Sequence, residues 1–170
     1  MYKRQVINGN AIVTSKNGFL YSLEAATGAL YWDSQIGPVD GYGGIGTPSS
    51  DGQTIVASGG YVNDPTKVTA NPGGRLYGFD RRGDMLWSQT TQNPIFGSAA
   101  INDGVTVTAL DAALTALNLV SGKALWSHTL SSTAYASPVI VPSGVYAADD
   151  AGDVYAFALP GSSPAVIRRR

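Results

Sequence analysis

Four stretches of this chain repeat one pattern, and no other feature limits its fold as tightly. Residues 18–32 read Gly-Phe-Leu-Tyr-Ser-Leu-Glu-Ala-Ala-Thr-Gly-Ala-Leu-Tyr-Trp; residues 74–87 and 112–126 follow that pattern through to the Trp, and residues 152–161 keep its first half and lose the Trp. Upstream of each lies a second shared run, at 11–15, 54–58, 105–109 and 145–148. Short Thr- or Ser-bearing segments precede three of these: Thr47-Pro48-Ser49-Ser50, Ser98-Ala99-Ala100-Ile101 and Ser137-Pro138-Val139-Ile140. Each unit therefore reads as four strands joined by turns. The anchors at 18, 74, 112 and 152 lie 56, 38 and 40 residues apart, a period near 40 with one insertion at roughly 61–73. Four strands in about 40 residues make a propeller blade, whereas leucine-rich and β-helix repeats are shorter and helical repeats need amphipathic helices.

The expected fold is all-β, a propeller of about four four-stranded blades. With 170 residues, 44% of them apolar, the chain has material for one core. The expected organisation is one propeller domain over 1–170, with blades at approximately 1–37, 38–92, 93–131 and 132–167 and a basic tail at 168–170. Within the third strand, Leu20, Leu76, Leu114 and Val154 point to one face, and Leu23, Phe79, Leu117 and Phe157 to the other. Both faces are thus predicted to be dry. Ser22, Gly78, Ala116 and Ala156 follow on the first face, and their small size fits a neighbouring sheet pressing close. Gly28, Gly83 and Gly122 close hairpin turns that need positive φ. The fourth strand ends in Trp32, Trp87 or Trp126, each able to bury roughly 150–250 Å² between blades, so the three indoles are predicted to fasten neighbouring blades.

The pattern Gly-x-Leu-Tyr-x-Leu-x-x-x-Thr-Gly-x-x-Leu-Trp, nearly complete at residues 18–32, resembles the repeat of pyrroloquinoline-quinone (PQQ) dehydrogenases and of the outer-membrane assembly lipoproteins that share their propeller. The resemblance implies an extracytoplasmic or periplasmic setting. For the quinone enzymes it also implies eight blades, adjacent cysteines beside the cofactor, and calcium held by Glu, Asn and Asp. That constellation does not map here: Cys is absent, and Glu24 is the only Glu and lies in a hairpin turn. Blade four departs from the pattern as well, with Ser162-Ser163-Pro164-Ala165-Val166-Ile167 in place of the Trp-bearing strand. No cofactor is expected, with PQQ and calcium entering only under an enzyme alternative.

In this register the chain begins near an inner strand, at residues 3–7, and ends after a fourth outer strand, so no blade is shared between its termini. Three closures stay open: four blades sealing by face packing alone, two chains joining into an eight-bladed ring, or a fragment of a longer propeller. The half-ring that needs a partner is favoured, because an apolar blade face at each end otherwise meets water.

Other chemistry is sparse. The net charge of -1, with three of eleven basic residues at 168–170, leaves no basic face for nucleic acid. No apolar run approaches the ~20 residues of a membrane-spanning helix, and none of signal-peptide length follows the start. No phosphate loop, nucleophile elbow or dinucleotide fingerprint is present. His128 stands alone, without a second His for metal, and reads as a surface residue; Asp149, Asp150 and Asp153 read as a solvated turn; Asp80-Arg81-Arg82-Gly83-Asp84 reads as an exposed charged hairpin. No catalytic or metal residue is predicted. Loops leading into the inner strands ring the mouth of a propeller's channel, so Asp40, Tyr42, Asn93, Phe96 and Tyr135 form a candidate ligand-binding rim, and the insertion is a second candidate surface.

The function expected is a non-catalytic binding or scaffold propeller that mediates protein interaction or self-association, as a homodimer or with another protein. The alternatives are a fragment of a PQQ-dependent alcohol or sugar dehydrogenase, and a small-ligand or carbohydrate-binding propeller using the rim.

Overall fold

The computed structural model describes residues 4–38, 43, 44, 46–61, 73–158 and 165–168. Each of its four sheets has four antiparallel strands hydrogen-bonded in chain order, as a meander of short turns requires. Blade 1 comprises β1 (Arg4–Ile7), β2 (Asn10–Thr14), β3 (Phe19–Glu24) and β4 (Leu30–Gln35). Blade 2 comprises β5 (Ser49–Ser50), β6 (Thr54–Tyr61), β7 (Gly73–Asp80) and β8 (Met85–Thr91). Blade 3 is built from β9 (Ala100–Asn102), β10 (Val105–Leu110), β11 (Ala113–Asn118) and β12 (Ala124–Thr129). Blade 4 is built from β13 (Val139–Val141), β14 (Gly144–Ala148), β15 (Asp153–Ala158) and β16 (Ala165–Arg168), so its last strand takes in Arg168 from the predicted tail.

Inner strands of successive blades adjoin one another, β1 with β5, β5 with β9 and β9 with β13, which sets the blades around a common axis. The insertion prolongs one hairpin: β6 and β7 run to eight residues each, and residues 62–72 of the predicted insertion lie outside the described residues.

Burial comes in three layers, one per seam. Ile12 and Leu20 of blade 1 pack on Ile55, Ala57, Tyr77 and Phe79 of blade 2. Val56, Leu76 and Trp87 of blade 2 meet Leu117 and Leu119 of blade 3. Val107, Ala109 and Leu114 of blade 3 meet Ala147 and Tyr155 of blade 4. The alternation along each strand supplies both layers of a middle blade, because successive side chains leave opposite faces. In blades 1 and 4 only one face is covered. Val154, expected to be as dry as Leu20, Leu76 and Leu114, is 39% exposed because no blade follows it among the described residues.

The indoles have a local cause. In blades 1 to 3 the pairing of third and fourth strands slips by one residue, between Ser22 and Leu23, Gly78 and Phe79, and Ala116 and Leu117. Such a bulge sets two residues against one and re-aims the strand. It sits beside Trp32, Trp87 and Trp126, which pair with Ser22, Gly78 and Ala116. For Gly78 the pressing neighbour is therefore its own blade's indole and not the next sheet: a Cβ there would lie 2.3 Å from the Trp87 ring.

Candidate functional site

At the first two seams the outer strand of one blade reaches into the turn between third and fourth strands of the next. The Trp32 Nε1–H donates to the Arg81 carbonyl at 2.9 Å, and the Trp87 Nε1–H to the Leu119 carbonyl at 2.9 Å. Two residues further on, Ser34 Oγ donates to the Gly83 carbonyl at 3.2 Å and Gln89 Nε2 to the Gly122 carbonyl at 3.0 Å. A buried indole wants its N–H satisfied, and turn carbonyls are free to accept, so each Trp supplies apolar area and a fixed direction together. The charged hairpin at 80–84 is thus a docking turn as well as an exposed one.

Trp126 differs. It is 41% exposed, against 8% for Trp87, and makes an edge contact with Phe157 at 4.9 Å between ring centroids. His128, two residues on, faces the same seam with its ring 4.9 Å from that of Phe157 and 6.0 Å from that of Tyr155, so it is a half-buried seam residue and not a free surface histidine.

Nearer the axis, serines link the inner strands. The Thr47 N–H donates to Ser98 Oγ at 2.9 Å, the Ser98 N–H donates to Ser137 Oγ at 2.9 Å, and Ser49 Oγ donates to the Ala99 carbonyl at 2.6 Å.

On the channel-mouth side, the loops between blades are pinned by aspartates. Asp111 Oδ1 accepts from the Asn93 N–H at 2.9 Å, the Asn93 Nδ2 at 3.1 Å and the Gln92 N–H at 3.0 Å. Asp149 accepts from the Ser132 N–H at 3.1 Å, from the Ala151 and Asp153 N–H groups at 3.1 and 3.0 Å, and from the Tyr155 hydroxyl at 2.8 Å. Ser131 Oγ donates to Asp153 at 2.7 Å. The expected solvated turn is therefore buried at Asp149 and Asp153, with Asp149 only 8% exposed. Burial alone raises the Asp149 carboxyl pKa, but the hydrogen bonds from Tyr155 and from the Asp153, Ser132 and Ala151 amides outweigh it and hold the group below its usual value.

Of the rim residues, Phe96 and Tyr135 are brought together, their ring centroids 4.9 Å apart. Asn93 is committed to Asp111 and to the Thr91 hydroxyl, which donates to its carbonyl at 2.7 Å. Asp40 and Tyr42 lie outside the described residues. Asp111 and Tyr155 escaped the sequence reading, and Asp149, Ser98 and Ser137 were read there without these contacts. Only Asp149 leaves a local trace, an Asp three residues ahead of the turn glycine Gly152.

The Glu24 carboxylate accepts from the Thr27 hydroxyl in an exposed turn, Asp149 is saturated by four donors, and no three His, Cys, Asp or Glu side chains converge among the described residues.

Radial meanders clasped by outer-strand indoles define a propeller arc of the quinoprotein type. The chain belongs to the family described as outer membrane protein assembly factor BamB, whose model matches residues 16–163. Its fold is similar to that of BamB from Moraxella catarrhalis, at 18% identity and a TM-score of 0.74, covering 95% of this chain and 47% of that one. It is also similar to the computationally designed Ika4 protein, at 14% identity and a TM-score of 0.69, covering 92% of this chain and 89% of the other. The chain thus spans about half the length of the Moraxella protein. Among curated proteins none matches it. No helix among the described residues is long and apolar enough to cross a membrane.

Proposed function

We propose that the chain is a non-catalytic, protein-binding propeller segment whose binding surfaces are the uncovered faces of blades 1 and 4. The observation that carries this reading is the pair of end faces themselves. On blade 1, Val6 is 66% exposed and Val13, Tyr21 and Leu23 are only half-buried; on blade 4, Tyr146 and Val154 are exposed. The registers place Val13, Tyr21 and Leu23 where blade 2 buries Ala57, Tyr77 and Phe79, and Tyr146 and Val154 where it buries Val56 and Leu76, and contiguous apolar sheet faces of this kind mark sites of protein association. The BamB family's description as an outer membrane assembly factor supports a scaffold role and an extracytoplasmic setting. Two kinds of partner present a complementary face: a second copy of the chain, and a propeller blade from elsewhere.

The test is co-purification from the cells that make the protein. The parent chain is expected to retain a stoichiometric protein partner or a second copy. The end-face variants Val6→Asp and Tyr146→Asp are expected to lose it, and Phe96→Ala at the rim to keep it. A monomer without any partner, or a partner held equally well by both end-face variants, refutes the reading; so does dye reduction with alcohols or aldoses when PQQ and calcium are added.

A further inference from the structure

The first seam is not filled as the second is. A cleft of about 620 Å³ lies between blades 1 and 2 on the side of the β1–β2 and β7–β8 turns, at the opposite ends of the strands from Phe96 and Tyr135. Asn8 and Asn10 border it from one hairpin of blade 1, Gln53 from the matching hairpin of blade 2, and Arg81 and Arg82 from the docking turn. The cause lies in one turn position. Arg81 and Leu119 are the residues whose carbonyls accept from Trp32 and Trp87, so they hold the same place in their blades. Leu119 is fully buried and packs with Val56, Leu76 and Trp87, whereas Arg81 is exposed. A guanidinium is costly to bury without a partner, so the space that Leu119 fills at the second seam stays open at the first.

A second observation points into the same cleft. Ser22 lines it, is 1% exposed, and its hydroxyl has no hydrogen-bond partner among the described residues. The register sets Gly78, Ala116 and Ala156 at that place in blades 2 to 4, so blade 1 alone puts a polar atom there. A buried hydroxyl without a partner is unfavourable, and a polar group entering the cleft relieves it. Rotation about χ1 re-aims the oxygen without moving the backbone.

The remaining lining sets the chemistry of the occupant. Its charged residues are Arg81, Arg82 and Asp80, an excess of one positive charge. Asp80 Oδ1 already accepts from the Arg82 and Asp84 N–H groups at 2.8 and 3.0 Å, whereas neither guanidinium has a hydrogen bond or ion pair among the described residues. Ser22, Asn10 and Gln53 add neutral donors and acceptors, which suit hydroxyl groups, and the volume falls within the roughly 300–1,000 Å³ of small-molecule sites.

We propose that this cleft binds a small hydroxylated anion, a sugar acid or a sugar phosphate, with its anionic group at Arg81 and Arg82 and its hydroxyls toward Ser22, Asn10 and Gln53. The planar fork of a guanidinium matches carboxylate and phosphate oxygens alike. The site lies apart from the uncovered faces of blades 1 and 4 and stands whether or not those faces bind protein.

The test titrates the isotope-labelled chain with glucuronate, glucose 6-phosphate, glucose and inorganic phosphate, and follows its amide chemical shifts. The two sugar anions are expected to bind with a Kd of about 1 mM or below, moving the amides of Ser22, Gln53 and Arg82 and not those of Phe96 and Tyr135. Arg81→Gln with Arg82→Gln keeps the backbone groups of the turn and is expected to raise Kd at least about tenfold. Ser22→Ala, which copies blade 3, is expected to raise it about threefold. Arg81→Leu, which copies Leu119 and fills the space, is expected to abolish binding in a chain that stays folded by circular dichroism; if it does not fold, the other two variants decide. Binding of either sugar anion with these losses supports the site, and the tighter of the two identifies the anionic group. No binding of either at about 20 mM, a Kd as low for glucose or for inorganic phosphate, or a Kd unchanged in the folded variants overturns the proposal.

Discussion

Replacing Trp87 and Trp126 separately by Ala measures how much a completed seam contributes. An indole side chain buries roughly 150–250 Å², worth about 4–6 kcal/mol at ~25 cal/mol per Å² as an upper limit. Trp87 is 8% exposed, so nearly all of that area is at stake; Trp126 is 41% exposed, and correspondingly less is lost. Removing Trp87 also strips the Leu119 carbonyl of its donor, about 1 kcal/mol more, and opens a cavity beside Gly78 and Gly122. The expected destabilisation, discounted for a compact unfolded chain, is about 4–5 kcal/mol for Trp87→Ala and about 2 kcal/mol for Trp126→Ala. Urea unfolding followed by far-ultraviolet circular dichroism reads both, provided the slopes against urea match, since stacked blades need not unfold as one unit. Equal losses from the two substitutions, or a loss below about 1.5 kcal/mol for Trp87→Ala, refute the claim that indole burial and turn docking hold the seam.

Thr106 is fully buried between blades 2 and 3, and its hydroxyl has no hydrogen-bond partner among the described residues. Thr106→Val keeps the shape and removes that burden, so it is expected to stabilise by about 1 kcal/mol in urea unfolding; destabilisation of the same size contradicts it. Asp149 has a folded-state pKa below its ordinary value, so its contribution is fully present above about pH 4 and is lost as pH falls through the lower folded value. Asp149→Asn is expected to lower stability at pH 7 and to flatten the decline of the urea midpoint below about pH 4; an unchanged pH profile contradicts the assignment.

What the residues disclose on their own depends on how local the physics is. Strand alternation, the turn glycines at 28, 83 and 122 and the near-40 period are properties of short windows, and the observed sheets follow them. Asp149 is different. A pair of neighbouring aspartates before a glycine looks like any wet turn until the loop at Ser132 folds over it and Tyr155 donates from the next strand. Phe96 and Tyr135 lie on different loops, and only the stacking of blades 3 and 4 brings their rings together. The bulge before each Trp was equally hidden: Tyr31, Leu86 and Leu125 are apolar, yet they are the extra residues of a slipped register and point to solvent. The exposure of Val154 follows from how many blades stand side by side, which no local window encodes.

The direction built into the seams also governs assembly beyond one molecule. An arc with a matching head and tail can add copies of itself without limit, since a heterologous contact that fails to close makes a filament. Here the docking turn at Gly28 faces outward at one end, while Ala165 and Ile167 stand at the other in place of a plug. A second copy meeting that turn with its blade 4 would bring neither the indole nor the donor that Trp32 and Ser34 supply at the first seam.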